Sequence, residues 1–365
     1  MPNIMLIGNK AFWIGTAGST VFLAVFVGLF VDLDTIGSVL NGANYAYVAP
    51  SLLFYFIAVW FRTARWKFLL RPLIGKPKKS IYSVVIVGYM ANNLIPVRIG
   101  EVIRSYYLSL REECSTSSAF GTVAVERATD VLALLFFLGI AALMSISGIE
   151  RAFGHISSEI PGGTLVMVVA ALLPFIAVLS VVLIISISSK QKIIKFLGSV
   201  FGLLGSKYRG RGLAITERLL EGLTVVNSLS DLIKVFAWSI PVWAAEGGMY
   251  YLIAMGFDLG SIFNTQIDFI AAILLFTAAA NLAGVFPSTA GGWGPFDFFG
   301  AAALTAFGVQ SEIAAGYALT VHVVVWVPPT VVGALLLILD GKSLTGLIQG
   351  AKESRQPIVN QGSAE

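Results

Sequence analysis

Between Asn92 and Arg104 an apolar stretch carries two amides, two arginines and an acid: Asn92, Asn93, Arg98, Glu101 and Arg104, with Pro96 and Gly100 among them. Guanidinium groups make bidentate, charge-assisted hydrogen bonds to phosphate and carboxylate. Pro96 removes a backbone donor and Gly100 relaxes the chain. A helix starting near Val97 then points free N–H groups and its positive dipole end at whatever lies before it, which suits an anion. A second polar group is Glu126, Arg127 and Asp130, where positions 126 and 130, and 127 and 130, are helical neighbours. Its expected partners are Arg98, Glu101 and Arg104, giving a network of three arginines and three acids. Such a network either holds a ligand headgroup or only clamps one segment to the next. A third group follows Asn281: Pro287, Ser288, Gly291, Gly292, Gly294 and Asp297 repeat the order amide, proline, glycine, acid. Glu246 and His322 are further candidates for a proton or cation site. Their plainer readings are a partner for an arginine and an interhelix hydrogen bond.

The remaining chemistry is sparse. Cys114 is the one cysteine and there are two histidines, so neither a disulfide framework nor a zinc set can be built. No G-x-x-x-x-G-K-[ST] loop occurs. No catalytic residue, metal or cofactor is expected, and an enzyme is the rival reading rather than the first one.

These residues need a membrane scaffold. Of 365 residues, 57% are hydrophobic and 12% charged, against about 25% charged in a soluble domain. A soluble protein is excluded on that ground, and the net charge of +4 does not argue for a nucleic-acid partner, because the basic residues are grouped in particular loops. The predicted fold is an all-α polytopic membrane protein. Six full spans are expected, near 12–31, 45–61, 120–144, 164–187, 235–255 and 314–339. Two interrupted apolar regions, 81–108 and 267–307, are expected to be re-entrant hairpins in an inverted repeat, or further crossings that bring the total to eight or more. Non-helical backbone at membrane depth survives only inside protein or beside a water-filled cavity, so the interruptions mark the site.

Charge sets the orientation. The segment after Phe61 holds seven basic residues, Arg62, Arg65, Lys67, Arg71, Lys76, Lys78 and Lys79, and reads as a cytoplasmic loop. A second basic stretch lies at 190–234. Both termini are therefore expected on the cytoplasmic side of a plasma membrane. One transmembrane domain is expected over 1–340, with repeat-like halves at 45–147 and 235–340, a cytosolic linker at 190–234 and a disordered tail at 341–365.

The pattern N-x-x-P-x-R-x-G-E-x-x-R at Asn93–Arg104, followed by V-E-R-x-x-D at Val125–Asp130, resembles the flippase-like transmembrane family. That family includes the membrane part of lysylphosphatidylglycerol synthase, or multiple peptide resistance factor. Pro287 to Asp297 is similar to its C-terminal signature, with aspartate where glutamate is commoner. The resemblance implies a stand-alone membrane domain, without the synthase domain, that holds or moves a lipid between leaflets. The implied partner is a phospholipid or polyprenyl phosphate, with homo-oligomers and a lipid-synthesis enzyme as further candidates. The alternatives are an intramembrane lipid-modifying enzyme and a non-transporting partner of a lipid-synthesis complex.

Overall fold

The computed structural model describes residues 10–77, 80–95, 99–145, 173, 175–177, 199, 228–286, 288 and 290–354. Every regular element among them is helical. The helices are α1 Lys10–Phe30, α2 Leu33–Gly42, α3 Val48–Ile74, α4 Ile81–Leu94, α5 Gly100–Ser109, α6 Thr116–Met144, α7 Leu229–Gly256, α8 Gln266–Leu282, α9 Pro295–Ala306, α10 Ser311–Leu339 and α11 Leu344–Glu353. Starts are written in the sequence. The side chains of Asp32, Ser115, Ser228, Thr265 and Ser343 each accept a backbone N–H from the first turn that follows, satisfying donors a helix leaves open.

Four helices, at Trp13–Phe30, Tyr45–Ile74, Thr116–Met144 and Ser311–Leu339, are long and apolar enough to cross a membrane. The chain is a multi-pass membrane protein. The expected span at 164–187 and most of the basic stretch at 190–234 lie outside the described residues, as do Pro96, Arg98 and Pro287.

Both interrupted regions fold as helix, break and helix. Gly88 lies against Arg104, and the Gly100 N–H donates to Asn92 Oδ1 at 2.7 Å, so α4 and α5 are antiparallel. A Cβ on Gly100 would collide with Asn92 and the Gly88 carbonyl. α8 and α9 pair in the same sense through Phe276 on Gly300 and Phe263 on Phe307. At 14, 10, 17 and 12 residues, none of the four arms reaches the roughly 20 residues that span a hydrocarbon core.

The two units, α3 to α6 and α7 to α10, make equivalent contacts. α3 packs on α7; α6 packs on α8 as α10 packs on α4; α5 packs on α6 as α9 packs on α10. Exchanging the units leaves this pattern unchanged.

Two expectations need correction. The second span does not end at Phe61. α3 runs on to Ile74 and carries Arg62 and Arg65 into the protein interior, 6% and 0% exposed, because buried carboxylates await them. The tail is also not wholly irregular: α11 forms behind its Ser343 cap and lays Leu347 and Ala351 against α5.

Candidate functional site

The halves meet around a cavity of about 340 Å³, within the size range of small-ligand pockets. α3 lines it with Tyr55 and Arg62, α4 with Tyr89, Asn92 and Asn93, and α5 with Glu101. α6 adds Arg127 and Asp130, α7 adds Trp243 and Glu246, α8 adds Asn281, and the far wall holds Gly291, Phe296 and His322. Eight of the polar residues singled out in the sequence thus share one space.

Under the cavity lies an ion network. Arg104 grips Glu126 with both terminal nitrogens at 3.0 and 2.9 Å. Arg65 bonds Asp130 at 2.7 Å and lies 3.3 Å from Glu126. Arg127 reaches Glu126 at 2.9 Å and Asp130 at 3.2 Å. Arg62 pairs with Glu246 and stands 3.8 Å from Asp130. Aromatic rings complete the enclosure. Arg104 lies 3.7 Å over the Trp66 ring and Arg62 4.5 Å over Trp243. The Trp243 N–H donates to Asp130 at 3.1 Å. Ions this deep are tolerated only when paired and hydrogen-bonded.

The membership of the network differs from the expected one. Glu126, Arg127 and Asp130 are in it with Arg104. Glu101 is not: it accepts from Asn92 at 3.2 Å and faces the cavity. Arg62 and Arg65 join the network from α3, while Arg98 lies outside the described residues. The signal of the α3 pair was present in the sequence. They sit three apart with Trp66 beside them, and no breaker follows before Pro72. As a result Arg104 and Glu126 are locked to each other outside the cavity wall. Among the described residues the arginines on the wall are Arg62 and Arg127, and the Arg127 side chain is 41% exposed. Tyr89 lines the same wall with a buried hydroxyl that has no hydrogen-bond partner among the described residues.

The first hairpin is tied to α10, where Asn93 donates to the Trp326 carbonyl and to Thr330, both at 3.0 Å, and the Trp326 N–H returns a bond to the Asn93 carbonyl at 3.2 Å. The second hairpin is held differently. Asn281 donates to Tyr250, whose hydroxyl donates to Glu246 at 2.9 Å. Glu246 is therefore satisfied from two sides. Asp297 is fully buried, accepts the Gly294 N–H at 3.0 Å and meets His322 at 2.8 Å. Ser288 is buried off the cavity. Gly291, Gly292 and Gly294 have φ of 79°, 87° and 97°, which only glycine adopts without strain. Among the described residues no group of histidine, cysteine or acidic side chains could hold a metal.

A family model described as the lysylphosphatidylglycerol synthase transmembrane region matches residues 12–333. A UPF0104 membrane protein of Methanocaldococcus jannaschii is 26% identical over 85% of this chain and 89% of its own. A UPF0104 membrane protein of Methanothermobacter thermautotrophicus is 25% identical over 74% of this chain and 78% of its own. Glycosyltransferase AglD of Haloferax volcanii is 23% identical over 92% of this chain; the match spans 55% of that relative. No solved structure matches. The expectation that the chain is not an enzyme does not stand, because one of these relatives is named as a glycosyltransferase. With nearly its whole apolar part matched, the chain belongs to the lysylphosphatidylglycerol synthase transmembrane-region family, which is tied by name to lipid synthesis at a membrane.

Proposed function

We propose that the cavity binds the phosphate-bearing or aminoacylated headgroup of a membrane lipid and that the two hairpins pass it between leaflets. One observation carries this reading. A polar space walled by Arg62, Arg127 and the unpartnered Tyr89 hydroxyl is built where four half-length helical arms converge among apolar helices. Arms too short to cross read as re-entrant hairpins, entering from opposite faces as the exchange of contacts between the units supports. The guanidinium of Arg127 and the Tyr89 hydroxyl supply donors to a phosphate oxygen. Glu101, whose carboxylate accepts from Asn92, takes any cationic amine. The acyl or prenyl tails stay in lipid. The protein sits in the plasma membrane with both termini in the cytoplasm.

A second reading is favoured by the glycosyltransferase relative. In it the same cavity presents a lipid phosphate to a group-transfer reaction, alone or with a lipid-synthesis enzyme.

The test is reconstitution into liposomes with a panel of headgroup-labelled lipids, read both for transbilayer movement and for chemical change of the label. Movement of an intact phosphate-bearing lipid that falls at least about tenfold in Arg127→Ala supports the first reading. A chemically altered label supports the second. Movement unchanged in both Arg127→Ala and Arg62→Ala sinks the headgroup assignment.

A further inference from the structure

Between Lys234 and Lys342 the sequence contains neither lysine nor arginine. The buried acid of the second hairpin therefore finds no fixed cation in its own half. Its partner is a histidine: His322 Nδ1 lies 2.8 Å from Asp297 Oδ1. The other ring nitrogen, Nε2, lies 3.1 Å from the carbonyl oxygen of Gly291. Both neighbours are acceptors. A neutral imidazole has one N–H, so it would serve one acceptor and turn a lone pair on the other. The arrangement closes only with one proton more than a neutral ring and an ionised carboxylate carry together. With that proton the pair is neutral overall. Without it a single negative charge is left in apolar surroundings, which is costly. A separate feature agrees. Trp293 lies flat on the ring, with centroids 4.0 Å apart at 11°, the face-on placement that favours a cation against an indole.

We propose that His322 and Asp297 form a proton-binding site, and that the bound proton clasps the glycine loop Gly291–Gly294 to α10. The proton on Nε2 is what holds the Gly291 carbonyl. When it leaves, a ring lone pair faces that oxygen and the clasp opens. Gly291 and His322 both line the cavity, so the clasp forms one side of it. The loop's three positive-φ glycines give it the backbone freedom to move.

The surroundings single this pair out. Across the cavity, Glu246 of α7 is paired with Arg62 of α3, and Asp130 of α6 with Arg127. Glu101 of α5 accepts from Asn92. Tyr55 of α3 and Tyr89 of α4 add hydroxyls to the wall. On the other sides, α1 contributes Ser19, which donates to the Trp293 carbonyl at 2.7 Å, and α2 contributes the exposed Asp34. Arginine keeps its proton at every working pH and histidine does not. Among the described residues, Asp297–His322 is thus the acid–base pair at the cavity whose positive member can be switched off.

The role of the proton in lipid movement rests on the translocase reading; the proton site itself does not. The chain has two histidines, His155 and His322. In a His155→Gln background with 15N-labelled histidine, in nanodiscs, the ring signals report His322 alone. Both ring nitrogens protonated at about pH 7, and a single protonated nitrogen after Asp297→Asn, is the expected result. A ring holding one proton from about pH 5 to pH 9 with Asp297 present overturns the site. In liposomes carrying labelled lipid, a proton gradient of one pH unit is expected to shift the steady-state distribution up to about tenfold for one proton per lipid, and His322→Gln is expected to lose that response. A wild-type distribution indifferent to the gradient overturns the coupling. A protein that moves no lipid yet shows the doubly protonated ring overturns the translocation reading and leaves the proton site standing.

Discussion

The two hairpins share a backbone plan and differ in what fastens them. The first is anchored by charge: Arg104 forks onto Glu126, which Arg65 and Arg127 also face, and Asn92 caps the turn at Gly100. The second is anchored by rings and one acid, with Phe276 against Phe296 and Gly300, Trp293 flat on His322, and Asp297 holding the Gly294 N–H. Among the described residues the four arginines of the network come from α3 to α6, while α7 contributes Glu246 and no cation to it. The difference teaches that a break in a membrane helix can be secured in two ways. Permanent charges give a fixed joint. A titratable pair with glycines gives a joint that conditions can loosen.

That contrast can be broken by mutation. The largest effect is expected at Arg65→Ala, which takes from buried Asp130 its 2.7 Å ion pair and from Glu126 one of the three arginines that face it. A loss of about 3–5 kcal/mol is expected, read as unfolding in detergent; an unchanged transition temperature would mean that the charges do not fasten the first hairpin. Next is Gly100→Ala, whose methyl meets Asn92 and the Gly88 carbonyl. It should cost about 1–3 kcal/mol, comparable with Gly291→Ala, where φ is 79° and Trp326 is in the way. If Gly291→Ala alone is tolerated, the second loop has the slack its glycines imply. Asn92→Ala removes two hydrogen bonds from the first hairpin and should cost about 1–2 kcal/mol by the same assay. The smallest effect concerns Cys114 in the turn after α5. Burial, with Glu112 adding, raises its thiol above the ordinary range. Maleimide labelling should then be slower at neutral pH than for a free thiol and speed up as pH rises, since only the thiolate reacts. Labelling from one face of sealed vesicles, and not the other, also shows which side the first hairpin opens to.

Much of the scaffold was written plainly. α6 and α10 follow from long, largely apolar runs, α6 behind its Ser115 cap, and both breaks follow from glycine and proline beside amides. Arg62 and Arg65 were misplaced for a physical reason. Positive charge after an apolar run is read as a loop because an unpaired arginine belongs in water, and the acids that reverse the rule lie on α6 and α7, far along the chain. For Arg104 the sequence leaves open a ligand headgroup or a pairing with Glu126, because one chain's residue types do not say which; the fork onto Glu126 at 3.0 and 2.9 Å is the pairing. His322 and Asp297 were both noticed, but 25 residues of separation hid that they touch.

The buried arginines of α3 also bear on how the protein is made. Each arginine at the middle of a membrane helix costs about 2.5–3.5 kcal/mol at insertion. α3 carries two, and it leaves the ribosome well before Glu126 and Asp130 exist to neutralise them. Until then α3 carries that cost uncompensated: α6 brings the acids that pair with Arg65, and Arg62 stays unmatched by Glu246 until α7 is synthesised. Assembly of the two halves is thus written into the order of translation, with the second half completing the first.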